Sequence, residues 1–330
     1  MLNRREFIKV SALASVSSLV GCRPSVYWDR EAYRKRATSR IAILQAKSYK
    51  SSLEDIIRRG IDLFKLDLKG KRIVLKPNLV EFDPKGVINT HPAVIEAAIG
   101  SFRNLGAREV VVAEGPGHRR DSEYLLTASG IYDVINEHKV RYVDLNTDDL
   151  RLTRLRSRFT NLGELYLPET VLNADLLVSM PKLKTHHWAG VTLSLKNMFG
   201  IVPGSVYGWP KNALHWAGIA GSILDINSAL PIPQFAIVDG IVGMEGNGPL
   251  QGQAKPTGVL VLGDDLVAVD ATAARLMMLE PRKIEYLETA DGFLGNISRE
   301  RIELVGEQLE RFQQNYKVIE NFQELKVLTG

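Results

Sequence analysis

The chain predicts an α/β fold: a mostly parallel, covered sheet with helices on both faces. Two observations predict it. From Ile41 onward, short β-rich runs alternate with helical stretches. The β-rich runs are also apolar almost without interruption, as strands covered on both faces must be. A third observation concerns ligands. Polar residues of unusual type gather just past the strand ends, where folds of this class place their ligands.

Taken in order, Ile41-Ala42-Ile43-Leu44 reads as the first strand. A helix follows, opened by Ser51 with Glu54 three residues later, the spacing of a capping box. Arg72 to Lys76 is a second apolar strand, ending in Pro77-Asn78. Pro92 to Leu105 reads as a helix, with proline in its first turn and Gly106 just past its end. Glu109 to Ala113 is a buried strand broken by Gly115-Pro116-Gly117. Further strands are expected near Val140–Leu145, Ala174–Met180, Phe235–Asp239 and Gly258–Leu262. A glycine-rich loop carrying Asp239, Glu245 and Asn247 should follow the Phe235 strand. Leu266 to Leu279 is apolar on nearly every face and predicts a buried helix, capped by Asp264 or Asp265. Asp270, inside that helix, needs a partner: either a structural bond to a lysine or arginine, the favoured reading, or a role in the site. There is no internal repeat. One domain from residue 41 to residue 330 is the economical count, with a division into two lobes left open.

Composition narrows the partners. The chain has 330 residues, 45% of them hydrophobic, enough for a large core. Its formal charge of +4 is concentrated at the start. Residues 1–21 carry Arg4, Arg5 and Lys9 against Glu6. Residues 22–40, a basic linker, carry Arg23, Arg30, Arg34, Lys35, Arg36 and Arg40 against Asp29 and Glu31. The body is left slightly acidic, which argues against a nucleic-acid partner. The linker suits either attraction to anionic headgroups or a solvated spacer. Cys22 is the sole cysteine. Intramolecular disulfides, cysteine-ligated iron–sulfur clusters and thiolate zinc sites are thereby excluded.

Of six histidines, His91, His118, His186, His187 and His215 fall in loops or helix starts after predicted strands. His138 lies in the last turn of a helix, a common place for histidine. Imidazole serves equally as metal ligand and proton shuttle near neutral pH. Lys182, Lys184 and Lys196, with Asn78, are candidates to hold a phosphate or nucleotide, though Lys182 and Lys184 equally suit a solvated face. Glu114 should orient His118 or accept backbone N–H bonds in the turn that follows it.

Several segments resemble known families. Asn3-Arg4-Arg5-Glu6-Phe7-Ile8-Lys9 resembles the twin-arginine export consensus, and Val10 to Val20 has the length of a signal h-region. Leu19-Val20-Gly21-Cys22 resembles a lipobox. The resemblance implies a twin-arginine lipoprotein signal peptide over 1–21 and passage through the twin-arginine translocase. It also implies a mature protein outside the cytoplasm, anchored to a membrane by lipid on Cys22. That route carries folded proteins, often with a cofactor already loaded.

The run from Asn173 to His186, Lys196-Asn197-Met198-Phe199-Gly200, Lys76-Pro77-Asn78, Thr90-His91-Pro92 and Met244 to Pro249 together resemble an uncharacterised family, domain of unknown function 362. Some members carry ferredoxin-type clusters, for which this chain lacks the cysteines. His186-His187-Trp188-Ala189-Gly190, with Lys196 and Pro203-Gly204 beyond, also resembles the nickel-pincer lactate racemase family. That resemblance implies proton transfer by His186 and His118, a nucleotide-derived cofactor on Lys196, and His215 near the place of a nickel-binding histidine. Apart from the resemblance, His215 together with His91 could hold a divalent metal as Lewis acid or hydride acceptor. The chain departs from that family in having His91 where an arginine is expected and Val191 to Leu195 in place of a glycine-rich stretch.

Three functional readings follow. One is a metal- or cofactor-dependent enzyme, an isomerase or oxidoreductase, acting on a small organic or hydroxy acid. Another is a non-catalytic binding protein for a phosphorylated or carboxylated small molecule. A maturation factor for a redox partner is a third.

Overall fold

In the computed structural model, residues 33, 36–117 and 121–327 are described. The expected signal segment over 1–21, Cys22 and His118 lie outside them. No described helix is long and apolar enough to cross a membrane.

The α/β prediction holds. The strands are β1 (Ser39–Gln45), β2 (Arg72–Pro77), β3 (Glu109–Glu114), β4 (Arg141–Asp144), β5 (Leu150–Arg154), β6 (Glu164–Pro168), β7 (Leu176–Met180), β8 (Lys182–His186), β9 (Gly190–Thr192), β10 (Gln234–Asn247), β11 (Gln251–Gly263) and β12 (Ile302–Gly306). The main sheet runs β12-β1-β11-β10-β7-β2-β3-β4, with β8 joined to β10 and β9 to β8, while β5 and β6 form a separate hairpin. Pairing is parallel from β10 through β4 and between β12 and β1, but β11 is antiparallel to both of its neighbours.

Side chains alternate between the faces, so each strand feeds two cores. Ile41, Ile43, Val74 and Val111 enter one core, and Ala42, Ile73, Leu75, Val110 and Val112 the other. The second core is covered by α1 (Leu53–Asp62) and α2 (Pro92–Asn104), followed by α3 (Ser122–Ala128) and α4 (Ile131–Glu137). Past β6 comes the short α5 (Glu169–Leu172). Over the first core lie α6 (Ser194–Asn197), α7 (Gly204–Tyr207), α8 (Asn212–Trp216), α9 (Ile219–Ala229), α10 (Leu266–Leu276) and α11 (Glu285–Ala290).

Several expectations change. The capping box does not form: the N-cap of α1 is Ser52, and the Glu54 carboxylate instead accepts from Asn104 Nδ2 at 2.5 Å, tying α1 to α2. The strand expected from Ala174 starts at Leu176, because Asp175 turns to accept the Arg72 backbone N–H at 2.8 Å. The glycine-rich loop after Phe235 is not a loop. β10 continues through Asn247 and pairs with β11, with a register shift between Gly240 and Val242. Glu245 and Asn247 are consequently engaged within the hairpin region, by Lys255 (3.3 Å) and Gln251 (3.0 Å) respectively. The basic linker ends sooner than residue 40, since Arg40 lies in β1 and pairs with Glu303 at 3.0 Å. Asp265 caps α10 as expected, and Asp264 instead pairs with Arg36 at 2.9 Å. Asp270 finds no cation. Its two oxygens accept the Ser194 and Leu195 N–H groups at 2.7 and 2.9 Å, pinning the start of α6.

Candidate functional site

Parallel pairing brings the carboxyl ends of β2 and β3 together, and with them Lys76 and Glu114. Both side chains are buried, and Lys76 Nζ lies 2.6 Å from Glu114 Oε2. Glu114 also accepts from the Leu79 N–H (3.2 Å) and the Gly115 N–H (2.9 Å). Asn197, at the end of α6, bridges this pair to the sheet. Its Oδ1 accepts from Lys76 Nζ at 3.3 Å, and its Nδ2 donates to the Lys76 carbonyl at 3.1 Å. Gly200 must be glycine: a Cβ there would lie 2.1 Å from Glu114 Oε1 and 2.6 Å from Lys76 Nζ.

These groups form one wall of a cavity of about 190 Å³. Lys184, Lys196, Lys211, His186, His187 and His215 add to its polar lining, with Trp188, Phe199 and Pro210 among the apolar residues. Rings link the histidines: His186–His187 centroids are 5.0 Å apart, His187–Trp188 4.7 Å, Trp188–His215 5.2 Å and His215–Phe199 5.2 Å. Lys196 Nζ sits 4.2 Å from the Phe199 ring centroid, within cation–π range.

Four lysines therefore face one carboxylate. Burial lowers the basicity of all four, most plainly where no carboxylate answers it. Lys184 is driven well below the ordinary lysine range by burial and by the nearby Lys182 and Lys196 charges. Lys196 is pushed down to about 8 by burial and the Lys76 charge, and Lys211 to about 7 by burial, opposed by Glu114. Lys211 adopts φ +69° and donates to three carbonyls, those of Gly115 (2.8 Å), Gly200 (3.0 Å) and Phe199 (3.2 Å).

The two lining histidines with ring hydrogen bonds hold opposite tautomers. His186 Nδ1 accepts from the Trp188 and Ala189 N–H groups at 3.0 and 3.2 Å, so Nε2 carries the proton. His215 Nδ1 lies 3.1 Å from the Lys211 carbonyl, which only accepts, so Nδ1 is protonated and Nε2 keeps its lone pair. Burial depresses both pKa values, with nearby lysine charges adding to it, and both rings are neutral near pH 7. One presents a donor and the other a base. Two buried polar atoms of the lining, Asn78 Oδ1 and Thr192 Oγ1, have no partner among the described residues.

The structure thus gathers His186, His215, Lys184, Lys196, Asn78 and Glu114, and separates two other candidates. His91 does not line the cavity. It caps α2, its Nδ1 accepting from the Ala93 N–H at 3.2 Å, and its ring stacks on Tyr49 at 3.6 Å. It therefore does not join His215 as a metal ligand. Lys182 is spent on a buried ion pair with Asp239 at 2.6 Å, where Tyr49 OH also bonds it at 3.0 Å. Glu114 is held by Lys76, while His118, its expected partner, lies outside the described residues. His138 sits at the C-cap of α4, 3.4 Å from Glu96. Lys76, Asn197 and Lys211 were missed. A lysine ending an apolar strand was a readable signal for the first; nothing local marked Lys211.

Among the described residues, no three His, Cys, Asp or Glu side chains gather as a metal site. A bare divalent cation also fits this lining poorly, because ammoniums surround the one free nitrogen of His215. An anionic organic cofactor, such as one derived from a nucleotide, fits its charge.

A folded α/β body with a cationic cavity at its strand ends defines the class. The chain belongs to the family described as domain of unknown function, DUF362, whose family model matches residues 73–275. It is 27% identical over 252 residues to the thylakoid-associated protein sll1697 of Synechocystis sp., covering 74% of this chain and 76% of that one. Among solved structures, a Thermotoga maritima protein is 14% identical with a TM-score of 0.37, over 68% of this chain and 58% of its own. The lactate racemase apoprotein of Thermoanaerobacterium thermosaccharolyticum is 17% identical with a TM-score of 0.39, over 68% of this chain and 54% of its own. The chain spans little more than half the length of these two structures, and likenesses of that size carry nothing about chemistry.

Proposed function

We propose that the cavity binds a small organic anion, a carboxylate or phosphate ester, and acts on it by proton transfer. The observation that carries this reading is the set of four lysines around one carboxylate, with two neutral histidines in opposite tautomers between them. Among the described residues Lys184, Lys196 and Lys211 have no carboxylate partner, so an anion would answer the charge they carry when protonated. His215 Nε2 is the base that takes a proton from carbon or hydroxyl. The His186 Nε2–H donates to the oxygen where negative charge develops. This is isomerase-type chemistry. A nucleotide-derived cofactor held by the same lysines would supply hydride acceptance and make the reaction an oxidoreduction.

Deuterium incorporation from D2O into a panel of hydroxy acids, oxo acids and phosphate esters, followed by NMR, tests the reading. His215→Gln should keep anion-dependent thermal stabilisation and lower exchange by about 100-fold or more. A ligand that binds the wild type without any exchange would instead favour the binding-protein reading.

We further propose that the chain is exported through the twin-arginine translocase and tethered to a membrane by lipid on Cys22. The support is Asn3 to Lys9 and Leu19 to Cys22; the thylakoid-associated relative is in keeping with a membrane address. Cys22→Ser should release the protein from the membrane fraction, and retention of that variant would remove the anchor.

A further inference from the structure

The four cavity lysines differ in what their nitrogens touch. Lys76 Nζ is held by Glu114, Asn197 and the Pro77 carbonyl. Lys211 Nζ is surrounded by three carbonyls, and Lys184 Nζ donates to the Ile88 carbonyl at 2.8 Å. Lys196 Nζ has no hydrogen-bond acceptor and no carboxylate partner among the described residues; only the Phe199 ring lies against it. An ammonium without an acceptor gains least from its proton, and burial there costs the neutral amine far less than the ammonium. The same nitrogen lines a cavity that holds a base, His215, and a donor, His186. That is the equipment of an amine nucleophile.

We propose that Lys196 condenses with the carbonyl carbon of an oxo acid whose carboxylate is bound by the neighbouring lysines. The inference rests on the anion-binding reading of the cavity. The neutral amine attacks, a C–N bond forms, and the carbonyl π pair moves to oxygen, which takes up a proton from solvent. The nitrogen's extra proton passes to His215 Nε2. Loss of the hydroxyl as water, with that proton returned, leaves the protonated imine. Nothing is oxidised or reduced. The protonated imine draws electrons from the adjacent carbon, and His215 Nε2, free again, removes a proton from it. Depression of Lys196 to about 8 supports the assignment, because the free amine is then accessible near neutral pH. The charged and titratable groups that share its cavity are Lys76, Glu114, Lys184, Lys211, His186, His187 and His215.

The experiment is borohydride trapping of the purified full chain with pyruvate or 2-oxobutyrate, read by intact mass and peptide mapping. The expected result is a borohydride-dependent gain equal to the oxo acid less one oxygen atom, located on Lys196. Its yield at saturating oxo acid should rise as pH passes through about 8. In Lys196→Arg the adduct should disappear while thermal stabilisation by the oxo acid persists. Mapping on the wild type keeps the test decisive if that variant does not fold. Stabilisation by the oxo acid without any adduct, or an adduct on another lysine, overturns the nucleophile and leaves the anion site standing. Absence of stabilisation by every carboxylate and phosphate tested overturns both.

Discussion

His186 and His215 line one cavity yet keep their protons on opposite nitrogens, because one ring faces two backbone N–H groups and the other a carbonyl. The identity of a histidine in a sequence says nothing of this. Sequence reading placed both among the functional residues, but the division of labour comes from which backbone group lies opposite Nδ1. The consequence is measurable. Long-range ¹⁵N correlation spectra at pH 7 should show Nε2–H in His186 and Nδ1–H in His215, both neutral. Because their folded pKa values are depressed, both should stay neutral as pH falls through the ordinary histidine value of ~6.5. The unfolded chain takes up protons there and the folded chain does not. Their contribution to stability is therefore fully present above ~6.5 and declines as pH falls below it. A His186 ring protonated on Nδ1 would remove its role as donor through Nε2 alone.

The element that decides the site is α6, a single turn carrying Lys196 and Asn197. A turn that short has no stability of its own. It is held by Asp270, which reaches from the interior of α10 to the first two N–H groups of α6. Burial pushes the Asp270 carboxyl up to about 7, against the two N–H donors that favour its anion. Asp270→Ala leaves both donors buried without a partner and should cost about 2–4 kcal/mol in denaturant unfolding. It should also weaken anion-dependent stabilisation, because Lys196 is one of the cavity lysines and moves with the turn. Gly200 acts on the opposite side. Gly200→Ala should force Lys76 and Glu114 apart, costing about 1–3 kcal/mol, and a variant of unchanged stability would show that the wall yields. Neither constraint was visible in the chain. A buried aspartate in an apolar helix announces that a partner exists, but not that the partner is the backbone of another helix.

At the scale of the whole molecule, the cavity stores unfavourable charge. Lys196 and Lys211 titrate at about 8 and about 7 in the fold, against ~10.4 in the unfolded chain. Between those values the unfolded state binds more protons, so stability should rise with pH from about 7 to about 9. A saturating anion should flatten that slope by returning a counter-charge to the ammoniums. Denaturant midpoints at pH 7 and pH 9, with and without pyrophosphate, check both statements; a stability that falls with pH and ignores the anion would contradict them. The α/β class, the principal strands, the main helices and the family were all readable along the chain. They follow from local periodicity, from turn residues and from motifs contiguous in sequence. The proposals of export and lipid attachment rest on the chain alone. Which lysines are neutralised, and by what, was decided in three dimensions. Lys76 meets a carboxylate 38 residues away, Lys211 a carbonyl 96 residues away, and Lys196 meets neither. Burial and pairing between distant segments set the charge state of a side chain, and no spacing in the sequence records them.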